Sequence, residues 1–268
     1  MDEPLSLKFH HLVAHLKNLG SAVVAFSGGV DSSLLAAAAF EALGERMLAV
    51  TLRSPVERAE DMQNAAALAA AVGFPHRIVD FDDLALPQFR ANPANRCYFC
   101  KVERFRSLQL LAVREGYAWL LEGSNADDLS DYRPGKRAAA ELGVRSPLEE
   151  LGLTKNEVRN LARWKGLSVW DRPSAPCLAT RFPYGQEVTL AALEQVRQAE
   201  DLLTGLGFGN VRVRHHGPLA RIEVTPDQIA DLVAARAAVL ARLKALGFTY
   251  ITIDLAGYRL GSLNEVLP

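Results

Sequence analysis

Apolar residues in the first half of the chain form short uninterrupted runs, and these runs alternate with longer segments of helical periodicity. The runs predict strands at 22–26, 47–52, 76–81 and 118–122, and the longer segments predict helices at 33–43, 57–72 and 102–115. Strands that are buried on both faces are continuously apolar, and strand-helix alternation is typical of a parallel sheet covered by helices. The sequence therefore predicts a doubly wound α/β domain.

The pattern breaks at 171–185, where DRPSAPCLATRFPYG carries three prolines and a glycine without periodicity. Such a stretch is typical of a domain junction. Beyond it the pattern predicts helices at 190–206 and 226–246, with strands at 211–215, 220–224 and 250–255. We therefore expect two domains, residues 1–171 and a smaller α+β domain of residues 172–268.

Composition narrows the class of protein. With 49% hydrophobic and 23% charged residues, the 268-residue chain has the composition of a folded globular protein. It contains no run of roughly 20 apolar residues that would span a bilayer, and residues 1–20 are amphipathic and charged, unlike a signal peptide. A net charge of -1 argues against binding to the phosphate backbone of a nucleic acid. We expect a cytoplasmic protein that binds neither nucleic acid nor membrane.

The segment VVAFSGGVDSSLLAAAAF reads as a strand, a glycine- and serine-rich turn, and a helix that follows at once. Gly28 and Gly29 allow the backbone to approach an anion, and Ser27, Ser32 and Ser33 add hydroxyl donors near a positive helix end. The simpler interpretation is an ordinary turn with an N-cap side chain. Two glycines and several hydroxyls exceed what a cap requires, so the segment predicts a phosphate-binding loop.

The turn contains no lysine, which excludes a Walker loop, and it lacks the dinucleotide spacing G-x-G-x-x-G. It resembles the PP-loop ATP pyrophosphatases, whose signature SGGxDS stands here as SGGVDS. The resemblance implies an adenine nucleotide alpha hydrolase-like fold and a loop that holds the pyrophosphate released from ATP, with Mg²⁺. The implied ATP-binding residues are Ser27, Gly28, Gly29, Asp31, Ser32 and Ser33, with Asp31 also catalytic.

A second polar loop, EGSNADDLSDYRPG, follows the apolar run that ends at residue 121. Loops at the carboxyl ends of strands are where α/β sheets bind ligands. Asp127, Asp128 and Asp131 are carboxylates that suit Mg²⁺, although a solvated turn has a similar composition. The run also resembles PP-loop amide and sulfur transferases, which favours the magnesium role and places Asp128 in the ATP site.

Three cysteines stand in the chain, two of them as a CxxC pair in NRCYFCK. Cys97 and Cys100 are followed much later by Cys177 in APCLATR. Three thiolates can bind zinc with a fourth ligand, hold an iron-sulfur cluster with one open iron, or act separately, and the pair could also be two buried small residues. Arg181, four residues after Cys177, favours a reactive thiolate there.

The motifs taken together resemble the ATP-dependent sacrificial sulfur transferases, the LarE family. They are SGGVDS, GSNADDLSDYRPG, NRCYFCK, APCLATRFPYG, VRVRHH and DLAGYRLGSLNE, and the resemblance extends over essentially the whole chain. It implies that ATP adenylates a carboxylate of pyridinium-3,5-dicarboxylate mononucleotide and that a sulfur nucleophile then displaces AMP. The thiocarboxylate product belongs to the nickel-pincer cofactor of lactate racemase.

The cysteine pattern departs from that of single-cysteine family members, in which the residue matching Cys177 gives up its sulfur. Family members with three cysteines are expected to hold a [4Fe-4S] cluster whose open iron carries a transferable sulfide. The resemblance therefore implies catalytic cluster ligands at Cys97, Cys100 and Cys177, with Cys177 retained. Spacing does not separate this mechanism from the sacrificial one.

The second domain contributes expected substrate contacts. Arg212 and Arg214 alternate on a predicted strand, so they share one face and could bind a phosphate or carboxylates, or form an exposed basic face. The family resemblance implies substrate-binding roles for both, and for two residues of the junction, Thr180 and Arg181. Thr180 replaces the serine of the family pattern and keeps its hydroxyl. The resemblance also implies metal-binding roles for Glu200, Glu223 and Asp231.

Three rival functions follow from the same motifs. A tRNA thiolase of the PP-loop group also combines SGGxDS with three cysteines, but the near-neutral charge argues against tRNA binding. An amide-forming synthase would leave the cysteines without a role, and a non-catalytic nucleotide-binding regulator would not release pyrophosphate. We expect a homo-oligomer that acts on a small nucleotide and supplies a nickel-insertion enzyme.

Overall fold

The computed structural model describes residues 4–129, 134–173, 176–259 and 261–266. The chain divides into two compact units, which are described separately below. The first unit comprises Met1–Asp82 and Cys97–Ala175, and the second comprises Asp83–Arg96 and Pro176–Pro268.

Four parallel strands form the sheet of the first unit. They are β1 (Ala22–Ala25), β2 (Met47–Arg53), β3 (His76–Asp80) and β4 (Trp119–Leu121), in the order β3-β2-β1-β4. In the centre of the sheet, Val24 of β1 pairs with Ala49 of β2 on one side and with Leu121 of β4 on the other. The prediction of a parallel α/β sheet is confirmed.

The described residues of both units also form α-helices. In chain order they are α1 (Leu5–Lys17), α2 (Val30–Leu43), α3 (Ala59–Val72), α4 (Pro87–Arg90), α5 (Arg96–Arg114), α6 (Pro134–Glu141), α7 (Pro147–Glu150), α8 (Lys155–Trp164), α9 (Leu190–Gly205), α10 (Ile229–Ala234) and α11 (Arg236–Ala245). In the part of the chain that the structure describes, no helix is long and apolar enough to cross a membrane.

Both faces of the four-stranded sheet are covered, as the continuous apolar runs predict. Val24 points to a core that includes residues of α1, α2, α3 and α8, whereas its neighbour Val23 points to a second core built with α5 and α6. Successive strand residues face opposite sides of a sheet, so a strand buried on both sides must be apolar throughout. The sheet is therefore doubly wound.

Two helices begin earlier than the sequence pattern predicts. Helix α2 starts at Val30, three residues before the predicted start at 33, and Gly29 takes the N-cap position. Asp31 and Ser32 therefore lie in the first turn of the helix. Helix α5 starts at Arg96, six residues before the predicted start at 102. Cys97 and Cys100 consequently lie inside the first turns of α5 rather than on the approach to it.

The second unit contains a three-stranded sheet. Strands β5 (Arg212–His216) and β6 (Leu219–Glu223) are antiparallel, and β7 (Tyr250–Ile253) runs parallel to β6. Helices α9, α10 and α11 contribute Leu203, Leu232 and Leu243 to its core. The predicted helix at 226–246 is a 3-10 turn followed by α10 and α11, with a break at Ala235.

The segment 83–96 belongs to the second unit, although the predicted boundary at 171/172 assigns it to the first domain. Buried Asn92 has a positive φ of 53°, and its side-chain amide donates to the carbonyl of Pro183 at 2.8 Å. The backbone N–H groups of Gly185 and Val188 donate to the carbonyls of Asn92 and Arg90. These long-range hydrogen bonds leave no periodic signal in the sequence.

Candidate active site

The phosphate loop lies where the sheet order reverses. Strand β2 lies on one side of β1 and β4 on the other, so the loops that follow β1 and β4 emerge side by side at the carboxyl edge. Crevices at such switch points are the usual ligand sites of open α/β sheets. A cavity of about 340 Å³ opens here, and we call it the nucleotide cavity; its lining includes Ser27, Asp31, Thr51, Cys100, Lys101, Glu122 and Asp128.

Hydroxyl groups hold the phosphate loop in shape. The Ser32 hydroxyl donates to the carbonyl of Gly29 at 3.1 Å and lies 3.1 Å from the Ser27 hydroxyl. Gly29 caps α2 without a side-chain hydrogen bond, so neither Asp31 nor Ser32 is the N-cap that an ordinary turn would use. Ser33 is buried, and its hydroxyl has no hydrogen-bond partner among the described residues.

Two glycines permit close backbone approaches around the loop. Gly28 has a φ of +73°, and a Cβ atom there would lie 3.0 Å from the Cβ of Ala65. A Cβ at Gly123, in the loop after β4, would lie 2.9 Å from the backbone nitrogen of Ser32. Because backbone atoms cannot rotate away, Gly123 is needed for the two loops to meet.

Asp31 is held by groups from two other segments. The Asn125 side-chain amide donates to Asp31 Oδ1 at 3.1 Å, and the Lys155 ammonium donates to Asp31 Oδ2. Lys155 is the first residue of α8, and its backbone N–H donates to Asp127 Oδ2 at 2.8 Å. A capping box between Thr154 and Glu157 fixes the start of α8, so the position of the Lys155 Cα is well defined.

The acidic residues of the second loop have different surroundings. Asp127 binds the start of α8, while buried Asp128 accepts a hydrogen bond from the backbone N–H of Asn125 at 3.1 Å and lines the nucleotide cavity. Asp131 lies outside the described residues. The ATP-binding role of Asp128 and the magnesium roles stay predictions, and the chemistry of Asp31 and Asp128 suits a hard cation beside a phosphate.

The lining of the nucleotide cavity also includes a cation, Lys101. Lys101 Nζ lies 3.4 Å from Glu122 Oε2. Burial acts to raise the pKa of Glu122, but Lys101 together with Ser124 and Ser146 outweighs it, so the pKa of this carboxyl lies below its usual range. Glu122 is therefore ionised at neutral pH, and it keeps the Lys101 ammonium at the cavity.

The CxxC cysteines stand one helical turn apart on α5. Residues i and i+3 of a helix are surface neighbours, so the side chains of Cys97 and Cys100 lie on one face. Cys97 is exposed, and half-buried Cys100 lines the nucleotide cavity. This pair suits two ligands of one cluster. Among the described residues, no group of three or more His, Cys, Asp or Glu side chains is placed to hold a metal ion, and cluster ligation by Cys97, Cys100 and Cys177 stays a prediction.

Cys177 lies in a turn of the second unit that Arg181 holds. Arg181 and Glu200 are 1% and 0% exposed, and they form a two-pronged ion pair at 2.8 and 3.1 Å. The Arg181 Nη1 also donates to the carbonyls of Pro176 and Cys177 and to the Thr180 hydroxyl. Arg181 therefore fixes the backbone on both sides of the Cys177 Cα.

The two arginines of β5 differ in burial and in their contacts, although they alternate along one strand. Arg214 is buried, forms a two-pronged pair with Glu223 at 2.9 and 2.7 Å, and donates to the carbonyl of Thr180. Arg212 is half-buried and lies over the ring of Tyr258, 5.0 Å from its centroid. Substrate binding by Thr180, Arg181, Arg212 and Arg214 stays a prediction.

Glu200 and Glu223, two of the three acidic residues predicted to bind metal, are fully buried and bound by arginines. The Glu200 Oε1 also accepts a hydrogen bond from the backbone N–H of Val213 at 2.9 Å. Asp231, on α10, is exposed. The metal role of these three residues stays a prediction, and the pairs give the two glutamates a positioning role.

Sequence reasoning missed Lys155, Asn125 and Lys101. Lys155 and Asn125 reach Asp31 from 124 and 94 residues away in the chain, a separation that no local pattern reveals. One signal was available: the spacing T-x-x-E at Thr154 and Glu157 is a capping box and predicts that a helix begins at Lys155.

Comparison with known proteins agrees with this arrangement. A sequence profile of the family described as NAD synthase matches residues 7–95, the part of the chain that holds the phosphate loop. The chain is 29% identical to a tRNA-specific 2-thiouridylase of Rickettsia felis over 57% of its length and 52% of that protein. The fold and the loop thus place the chain among the PP-loop enzymes.

Two relatives match almost from end to end. An uncharacterised protein of Synechocystis sp. is 45% identical over 98% of this chain and 99% of that protein. The pyridinium-3,5-bisthiocarboxylic acid mononucleotide synthase of Lactiplantibacillus plantarum is 38% identical over 98% of this chain and 96% of its own length. The chain belongs to the LarE family of sulfur transferases.

Proposed function

We propose that the protein is an ATP-dependent sulfur transferase that converts a carboxylate of pyridinium-3,5-dicarboxylate mononucleotide to a thiocarboxylate. The observation that carries the proposal is that Cys100 and the phosphate loop line one cavity. Near full-length similarity to the Lactiplantibacillus plantarum synthase supports the substrate. An ATP-consuming reaction that uses thiols also fits the reducing cytoplasm.

The first step is adenylation. A carboxylate oxygen of the substrate attacks the α-phosphorus of ATP, the bond from that phosphorus to the bridging oxygen breaks, and its electron pair leaves with pyrophosphate. The phosphate loop supplies backbone N–H groups and the helix end, while Asp31 and Asp128 would hold Mg²⁺, which neutralises charge on the phosphates when it is bound. Lys101 adds positive charge to the lining of the nucleotide cavity.

The second step is sulfur transfer. A sulfur nucleophile attacks the acyl carbon, the bond to the adenylate oxygen breaks, and AMP leaves. We propose that Cys97, Cys100 and Cys177 hold a [4Fe-4S] cluster, which when bound supplies a replaceable sulfide. Residues of the second unit position the substrate: Thr180 and Arg212 as contacts, and Arg181 and Arg214 through their ion pairs with Glu200 and Glu223. We propose a homo-oligomer whose product passes to a nickel-insertion enzyme.

The test is an anaerobic reaction of reconstituted protein with ATP, Mg²⁺ and the dicarboxylate mononucleotide. We expect AMP, pyrophosphate and thiocarboxylate in equal amounts, with the product identified by mass spectrometry. The Asp31→Asn variant should have no activity. The control is Asp82→Asn, which lies outside the nucleotide cavity and should remain active. Pyrophosphate release that depends on tRNA instead of the mononucleotide would point to the thiolase alternative.

A further inference from the structure

Three buried arginines donate to backbone carbonyls of the turn that carries Cys177. Two of them, Arg181 and Arg214, are neutralised by buried glutamates. The third is Arg96, which is 2% exposed and donates from Nη1 to the carbonyl of Ala179 at 3.0 Å. Arg96 therefore binds this turn two residues beyond Cys177, and the established contacts of the other two arginines do not explain its presence.

The charge of Arg96 has no acidic partner among the described residues. Its Nη1 also binds the side-chain oxygen of Asn92, its guanidinium lies 5.9 Å from the centroid of the Phe89 ring, and its Nε is buried without a hydrogen-bond partner. A buried guanidinium that is not paired with a carboxylate is costly, and an apolar side chain would fill the same space without that cost. Packing therefore does not account for an arginine at this position.

The place of Arg96 in the chain connects it to the CxxC pair. It is the last residue of the segment 83–96 and the first residue of α5. Its backbone N–H donates to the carbonyl of Pro93 at 2.9 Å, so both its backbone and its side chain are held. Cys97 is the next residue, and consecutive Cα atoms are about 3.8 Å apart. A position imposed on Arg96 is therefore passed directly to the backbone of Cys97.

We propose that Arg96 is a positioning residue that holds the backbone of Cys97 at the turn that carries Cys177, so that thiolates from distant parts of the chain can bind one cluster. This inference rests on the proposed function, because it assigns a role within the three-cysteine site. The hydrogen bond from Arg96 to Ala179 spans 83 residues of the chain. Cys100 lies one turn further along the same helix, so this one contact places both members of the CxxC pair.

Other hydrogen bonds also hold the segment 83–96, but they lie earlier in it. They involve the carbonyl of Arg90, and the carbonyl and the side-chain amide of Asn92. Loss of the Arg96 side chain should leave these contacts intact. The segment should then stay bound in the second unit, while Cys97 gains freedom to move.

The test measures the proximity of two cysteines directly, in full-length protein without iron. In a Cys100→Ser background, Cys97 and Cys177 are the two remaining thiols, and a short bifunctional maleimide links them when they are close. Mass spectrometry identifies the linked peptides in chains of single-chain mass. Arg96→Met should lower the yield of this cross-link about tenfold, the effect of losing a hydrogen bond from a charged donor. Arg106→Met, at an exposed arginine of the same helix, is the matched control and should leave the yield unchanged.

An internal control separates positioning from a general loss of structure. In a Cys177→Ser background, the cross-link between Cys97 and Cys100 should form equally well with and without Arg96→Met, because both cysteines lie on one helix. Arg96→Lys, which keeps a donor on a different stem, should retain part of the cross-link between Cys97 and Cys177. Thermal unfolding identifies a misfolded variant, and Arg96→Lys carries the comparison if Arg96→Met does not fold.

Three outcomes would overturn the proposal. They are an equal yield of the Cys97–Cys177 cross-link in Arg96→Met and Arg106→Met, an equal loss of the cross-links in both backgrounds, and no Cys97–Cys177 cross-link when Arg96 is present. A second readout is the rate at which a chelator removes iron from reconstituted three-cysteine protein, which should rise in Arg96→Met. If cross-linking depends on Arg96 but no cluster assembles, the proposed cluster fails while the positioning role stands.

Discussion

The Arg181 guanidinium and the Glu200 carboxylate form a fully buried, two-pronged ion pair in the second unit. Arg181 also binds the carbonyls of Pro176 and Cys177. The pair therefore links the helix that carries Glu200 to the turn that carries the third cysteine. We expect the pair to position Cys177, and removing one partner alone would leave the other charge buried and unbalanced.

Glu200→Gln should destabilise the protein by about 3–5 kcal/mol, because removing one partner leaves a buried charge unbalanced. Urea unfolding at neutral pH measures this loss. The matched control is Glu194→Gln, whose pair with Arg197 is about 40% exposed and should contribute less than about 1 kcal/mol. If both variants lose the same small free energy of unfolding, Arg181 does not depend on Glu200 for its position.

Replacing both partners with apolar residues separates stability from function. Arg181→Met with Glu200→Met should recover much of the lost stability, since a buried ion pair often adds little over a well-packed apolar pair. The double variant should nevertheless lose sulfur transfer, because the hydrogen bonds to Pro176 and Cys177 are gone. Full activity in a stable double variant would contradict the positioning role of Arg181.

Cys97→Ser should abolish the cluster and multiple turnover together. With one thiolate missing, three-thiolate ligation fails. The measurement is iron and sulfide content with the visible spectrum after anaerobic reconstitution, followed by counting turnovers. About four irons per chain are expected in the unmodified protein and fewer in the variant. Retention of repeated turnover by an iron-free Cys97→Ser protein would contradict the cluster mechanism.

The sacrificial alternative has its own signature. If Cys177 gave up its sulfur, the intact protein would lose the mass of hydrogen sulfide after one turnover. Under the cluster mechanism, its mass should not change during the reaction. Mass spectrometry of the unmodified protein before and after turnover distinguishes the two, and Cys177→Ser should be inactive in both.

Local patterns predict the sheet well, because strands buried on both faces must be apolar. They also predict the turn between β1 and α2, because its backbone needs glycine. They predicted less of the site, because its polar contacts join distant segments. Lys155 reaches Asp31 across 124 residues, and Asn92 binds Pro183 across 91. The sequence pattern predicts the start of α5 too late, because Cys-Tyr-Phe-Cys resembles no helix start, and it therefore predicts that the CxxC pair lies outside the helix.

Gly123→Ala should disturb the phosphate loop. The added Cβ would lie 2.9 Å from the backbone nitrogen of Ser32, so the two loops must separate. Overpacking of this kind costs about 1–3 kcal/mol, which we expect in weaker ATP binding or in stability. Gly205→Ala is the control, because a Cβ there meets nothing within 4 Å and the residue ends a helix. Unchanged ATP affinity and stability in Gly123→Ala would contradict this packing.

Half-buried His76 should make stability fall on the acid side of neutrality. Its Nε2 lies 2.8 Å from the Thr51 hydroxyl, which donates its own proton to the carbonyl of Phe26, so Nε2 donates to the hydroxyl oxygen. Burial lowers the pKa of His76, so the unfolded chain binds more protons than the folded chain at acid pH. The stabilisation present above about pH 6.5 is therefore lost as the pH falls below it.

Urea unfolding at pH 7.5 and 5.5 should show a smaller loss of unfolding free energy at the lower pH for His76→Gln than for the unmodified protein. Burial also lowers the pKa values of His215 and His216, so part of the loss should remain. The exposed His10→Gln should keep the full difference between the two pH values, and an equal acid loss in His76→Gln would show that this ring does not cause it.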